Sequence, residues 1–218
     1  MVAFVVVSIK YKNIVPVFLG ALCFLVTQIC IRIPIITIVL PKFAWFSLFK
    51  VEHPILYVVL LALTAGIVEE LGRYLFMKLG RQNQLSQGVA FGIGHGGIED
   101  ILLVGISVLS YLMQPSTIGY VPQSQFFMAT VERLSALMVH IGLSIFVLYS
   151  LRTKKSVYLW LAVMVHGFFD FLIVYLADYY ANGWIAETTA LLLSIGLLLS
   201  AIIWNRRFQN EKDMDDNS

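Results

Sequence analysis

The chain has 218 residues, 59% of them apolar and 13% charged, with a mean hydropathy of +0.84 and a formal net charge of +2. A soluble domain carries roughly 25% charged residues, so the composition describes a polytopic membrane protein and excludes an ordinary soluble enzyme. The charge is too small, and its basic runs too short, for a nucleic-acid partner.

Residues 1–9 (MVAFVVVSI) are apolar but too short to span a bilayer. They are expected to be the remnant of a further helix or an interfacial segment, and with no basic region before them or cleavage site after them they do not read as a signal peptide. Six stretches reach the ~20 apolar residues that a spanning helix needs: 14–31, 54–79, 86–113, 127–151, 157–178 and 184–204. Cys23 and Cys30 fall in the first and read as small buried hydrophobes rather than a disulfide or metal pair. Residues 32–53, with Pro34, Pro41, Lys42 and several aromatics, suit an interfacial or re-entrant connection. Residues 205–218 (NRRFQNEKDMDDNS) are polar and end acidic, and are expected to form a disordered tail. No internal repeat is evident. The predicted architecture is all-α: a polytopic transmembrane helical bundle of six full spans plus the short N-terminal segment, with residues 1–204 as one membrane domain.

Lys10, Lys12, Lys78, Arg81, Arg152, Lys154, Lys155, Arg206, Arg207 and Lys212 fall at one face of this arrangement, against Arg32, Lys42 and Lys50 at the other. The positive-inside rule then predicts a multi-pass cell-membrane protein with its C-terminal tail in the cytoplasm.

Charged side chains near mid-helix cost ~2.5–3.5 kcal/mol on insertion scales and mark functional sites by default. This chain has many: Glu69, Glu70 and Arg73; His95, Glu99 and Asp100; Glu132, Arg133 and His140; His166 and Asp170. Glu69 lies nine residues before Lys78, His95 ten after Leu85, His140 eleven before Leu151, and His166 nine after Val157. At 1.5 Å per residue all four sit ~14–17 Å from the same face. Four helices therefore bring one glutamate and three histidines to one level. Helical spacing pairs Arg73 with Glu69 and Glu70, His95 with Glu99, and His166 with Asp170. A carboxylate one turn from a histidine can fix its tautomer. The glycines at 88, 92, 94, 96 and 97 serve either helix packing or room for water or a peptide beside His95. Asp178 and Glu187 are expected to be interfacial anchors.

Buried polar residues can simply pair as glue, but three histidines at one depth ask for more. Glutamate and histidine in a dry pocket supply a base for water and a stabiliser for an oxyanion. His95, His140 and His166 with a carboxylate could equally hold Zn²⁺ with an open position. The H-E-x-x-H and G-x-S-x-G motifs are absent. Haem ligation would leave the adjacent glutamates without a task. An ion- or proton-coupled carrier is compatible with buried acids and histidines, though no inverted repeat supports it.

Glu69-Glu70-x-x-Arg73, Phe91-x-x-x-His95 and His166-x-x-x-Asp170, each in its own helix, resemble the CAAX-protease and bacteriocin-processing superfamily of intramembrane proteases. The closest resemblance is to its YhfC-type intramembrane metalloproteases, which share the glycine-rich FGIGHGGIE segment and the E-R-x-x-A-x-x-x-H helix, here Glu132 to His140. The likeness covers roughly residues 14 to 204. It implies Glu69 as general base, His95 as its partner, and His166 with the residue four positions on as the oxyanion site. The superfamily has asparagine at that last position and this chain has Asp170, which must then either carry a proton to donate or act as a supporting residue. The superfamily's arginine usually falls one residue later than Arg73. With Glu99, Glu132 and Arg133 as supporting residues, the expectation is an intramembrane peptidase acting on a membrane-anchored or membrane-proximal peptide, with Zn²⁺ as the cofactor if one is used. The same superfamily also admits a non-catalytic scaffold or chaperone, of the kind represented by the APH-type subunit of gamma-secretase.

Overall fold

The computed structural model describes residues 14–180 and 183–215; the apolar stretch 1–9 lies outside them. Every regular element among the described residues is helical, as a bilayer requires of a chain that must satisfy its own backbone. Among the described residues six helices are long and apolar enough to span. They are α1 (Ile14–Lys42), α3 (Pro54–Leu79), α4 (Leu85–Met113), α5 (Gln123–Thr153), α6 (Val157–Tyr179) and the first part of α7 (Gly183–Arg206). A short helix, α2 (Ala44–Glu52), joins the first two spans.

Local sequence accounts for most of the boundaries. Pro54 opens α3, where a missing N–H costs nothing. Gln84 and Gln87 form a capping box at the start of α4, each side chain serving the other's backbone. The α5 helix ends where Lys154 turns left-handed, at φ 57°.

Two expectations are corrected. Residues 32–42 are not a re-entrant connection but the continuation of α1, which proceeds in wide π-helical turns over Leu25–Arg32 and Ile35–Val39. Proline in a regular α-helix clashes with the carbonyl four residues back, and widening the turns around Pro34 lets the helix run on. At the other end α7 continues as helix to Asp215, past Asn205, where a disordered tail was expected; residues 205–215 contain no glycine or proline to stop it. Cys30 also departs from expectation: Cys23 is buried, but Cys30 is exposed.

The spans pack in a ring, α1 against α3, α3 against α6, α6 against α5, α5 against α4 and α4 back against α1, with α7 laid on α5 and α6. Outward faces carry Phe18, Leu109, Met164, Leu192 and Leu199, the apolar side chains that face lipid. Inside the ring, Cys23, Met77, Phe91, Leu143, Val147 and Leu148 form a tight apolar cluster. It lies towards the helix ends that carry Lys78, Arg81, Arg152, Lys154 and Lys155, here termed the basic face.

Glycine explains how closely these helices approach. A Cβ on Gly92 would stand 2.5 Å from the Ile141 Cα and 2.8 Å from the His140 carbonyl oxygen, and one on Gly96 would meet the His140 ring at 3.1 Å. The glycine run around His95 is therefore filled by α5 at Gly88, Gly92 and Gly96 and by α1 at Gly94 rather than left open. The packing reading holds, and it is this packing that brings α4 and His140 together.

Candidate functional site

Glu69, Glu70, Arg73, His95, His140 and His166 are all buried, at 0–5% exposure. They come from α3, α4, α5 and α6, and one atom is their centre. Glu69 Oε2 lies 2.9 Å from His95 Nε2, 3.9 Å from His166 Nε2, 4.0 Å from His140 Nδ1 and 3.9 Å from Arg73 Nη2. The shared depth read from the sequence is thus a real meeting of side chains.

The surrounding hydrogen bonds fix protonation. Arginine only donates, so the 3.1 Å contact from Arg73 Nη2 makes His140 Nδ1 an acceptor. The ring proton then sits on Nε2, 2.7 Å from Glu99 Oε2. An ionised Glu69 can only accept, which puts the His95 proton on Nε2; its Nδ1 is buried without a partner. Phe24, edge-on at 5.4 Å, and Phe91 flank that ring. His166 Nδ1 lies 2.7 Å from Glu70 Oε1, which turns its Nε2 towards Glu69 and leaves it 3.6 Å from Asp170 Oδ2.

Arg73 ties α3 to α5. Its Nη1 donates to the His140 carbonyl at 2.7 Å and to Ser144 Oγ at 2.8 Å. Its Nε faces Glu70 Oε2 at 3.3 Å, close enough for charge pairing but without hydrogen-bond alignment. Arg133 gathers Glu99 at 3.3 Å, Asp100 at 3.5 Å and Glu132 at 2.5 Å. It supports His140 only through Glu99.

Sequence spacing assigned Glu99 to His95, one turn away on the same helix; the structure gives it to His140 on the neighbouring helix. Spacing also missed a chain of donors on α1. Gln28 Nε2 donates to Glu69 Oε1, and Arg32 holds Gln28 Oε1 at 3.0 Å while its other nitrogens reach Leu61 O and Thr64 Oγ1. Arg32 is therefore not the face charge assumed for orientation. The available signal was Gln28 and Arg32 one turn apart within an apolar span. Glu187, expected as an interfacial anchor, instead lines a cavity of about 420 Å³ together with Glu69, Glu99, His140, His166 and Asp170.

Among the described residues, Glu69, His95 and His140 form the group whose potential ligand atoms all lie within 4.8 Å of one another. His166, expected in the metal set, is not in this group, although its Nε2 lies 3.9 Å from Glu69 Oε2. Two imidazoles and one carboxylate match a catalytic zinc donor set, in which tetrahedral donors stand about 3.3 Å apart. The observed 2.9 and 4.0 Å from Glu69 bracket that spacing. Glu99 fixes the tautomer that leaves His140 Nδ1 as the donor, as carboxylate partners of metal-bound histidines do. The residues fit a Zn²⁺ provided Arg73 Nη2 yields its contact with His140 and the His95 proton moves from Nε2 to Nδ1, freeing Nε2 as the donor.

The sequence profile of the family described as YhfC intramembrane metalloprotease matches residues 1–120 and 112–191. The chain is also similar to a protein of Bacillus subtilis (strain 168) described as uncharacterized membrane protein YhfC, with 29% identity over 180 residues, 70% of this chain and 68% of the relative. No solved structure matches. The chain belongs to the YhfC intramembrane metalloprotease family and is a multi-pass membrane protein.

Proposed function

We propose that this member of the YhfC family is a peptidase that hydrolyses a peptide bond in or near the membrane, with Glu69 as the base that activates water. The observation that carries the reading is that Glu69 Oε2 lies within 4.0 Å of nitrogens from three histidines on three other helices. Gln28 holds Oε1 and His95 holds Oε2, so the carboxylate is fixed at the wall of the cavity.

Water entering the cavity gives a proton to Glu69, and its oxygen forms a bond to the substrate carbonyl carbon. The carbonyl oxygen becomes an oxyanion, stabilised by His166 Nε2 or Asp170 when either carries a proton. Collapse of the tetrahedral intermediate breaks the C–N bond, and the proton held by Glu69 passes to the leaving amine. A Zn²⁺ held by Glu69, His95 and His140 would supply Lewis acidity and a more acidic water, and Glu69 would then act as a ligand rather than as the base. Glu70 keeps His166 oriented and neutralises Arg73.

The test is cleavage of membrane-proximal peptides by purified protein. Glu69→Gln and His95→Ala are expected to abolish it. Wild-type cleavage by both variants would overturn the assignment.

A further inference from the structure

The cavity lies wholly on one side of the Glu69 cluster. On α3 its lining runs from Glu69 back to Val58, on α5 from His140 back to Glu132, and on α6 from His166 forward to Val174. Each stretch leads away from the basic face, over eleven, eight and eight residues, or about 12–17 Å along a helix. No lining residue of α3, α4, α5 or α6 lies on the other side of the cluster.

On that other side a second cavity, lined by Tyr74, Lys78, Arg81, Gln82, Leu151 and Lys154, opens at the basic face, but none of the Glu69 cluster lines it. The bundle between the two is sealed. Cys23 on α1, Met77 on α3, Phe91 on α4, Leu143 and Val147 on α5 and Val163 on α6 lie about one to two turns closer to the basic face, and none is more than 2% exposed. Arg73, just inward of Glu69, is also fully buried. Packing of this kind leaves no gap for water, still less for a peptide.

We propose that the cavity is the water-filled entrance for substrate and admits the peptide only from the face opposite the basic helix ends. By the positive-inside rule that face is extracytoplasmic. Resting on the peptidase reading, this makes the substrate an exported or membrane-anchored polypeptide whose scissile bond lies in the outer half of the bilayer or just beyond it. A cytoplasmic protein presented at the basic face has no route to Glu69.

Accessibility tests the route without relying on cleavage. In full-length protein carrying Cys30→Ser, a cysteine is placed in the cavity wall by Ala136→Cys or, separately, Ile173→Cys. Each variant is treated with a membrane-impermeant maleimide in right-side-out and in inverted vesicles. Lys155→Cys and Tyr120→Cys report the basic and opposite faces; both positions are exposed. Modification of the cavity cysteines from the Tyr120 side alone is expected. Modification from the Lys155 side, from both sides, or from neither while the controls react would overturn the proposal. Because no turnover is measured, loss of the peptidase reading would leave a one-sided entrance standing, and loss of the entrance would leave cleavage activity intact.

Discussion

Arg73 on α3 and His140 on α5 are joined twice, by a 2.7 Å hydrogen bond from Nη1 to the His140 carbonyl and a 3.1 Å bond from Nη2 to its ring Nδ1. The guanidinium is fully buried and also faces Glu70. Removing one partner of a buried charge pair costs about 3–5 kcal/mol because the other is left uncompensated. Arg73→Ala is therefore predicted to lower the thermal unfolding midpoint of the detergent-solubilised protein sharply. Arg73→Lys keeps the charge but not the planar fork, and is expected to recover only part of the loss. An unchanged midpoint in Arg73→Ala would show that this tie is not structural.

Gln28 is predicted to be a positioning residue for Glu69. It contributes no proton in the proposed chemistry, yet its amide fixes Oε1 and leaves Oε2 to face the histidines. Gln28→Leu is expected to lower kcat by roughly 10–100-fold, the usual cost of losing a group that orients a site residue, with little change in KM. A rise in KM at constant kcat would instead place Gln28 in substrate binding.

What could be read from sequence followed helix geometry. A fixed rise per residue makes depth legible, so Glu69, His95, His140 and His166 could be placed on one level from their distances to the helix ends. Azimuth was less so. The i,i+4 rule sees only one helix, and it gave Glu99 to His95 when inter-helix packing through Gly92 and Gly96 turns α5 so that His140 takes it. Gln28 and Arg32 were missed for a related reason: Pro34 suggested an ending, and wide turns that carry a helix past proline leave no clear mark in a single sequence. Depth also cannot say which side of a buried cluster is hollow. That depends on where six helices diverge, as they do beyond Glu69.

Glycine packing gives a paired stability prediction. Gly92→Ala puts a Cβ against the backbone of α5, which cannot give way as a flexible side chain would. Overpacking of this kind costs about 1–3 kcal/mol. Gly196→Ala on α7 meets nothing within 4 Å and is expected to stabilise by up to ~1 kcal/mol through helix propensity. Thermal unfolding of the two variants should move in opposite directions. Equal shifts would mean that α4 and α5 do not meet as closely as Gly92 and Ile141 indicate.

Metal content separates the roles of the histidines. If Glu69, His95 and His140 hold Zn²⁺, elemental analysis of purified wild-type protein should find one zinc per chain, and a chelator should remove both metal and cleavage. His140→Ala and His95→Ala should each lose the zinc. His166→Ala should keep it and lose cleavage, because His166 stands outside the group of mutually close donors among the described residues. Zinc lost from His166→Ala as readily as from His140→Ala would place His166 Nε2, 3.9 Å from Glu69 Oε2, among the ligands. Wild-type protein that cleaves peptide without zinc and ignores the chelator would leave Glu69 and the histidines acting alone. His140 would then serve as the anchor for Arg73.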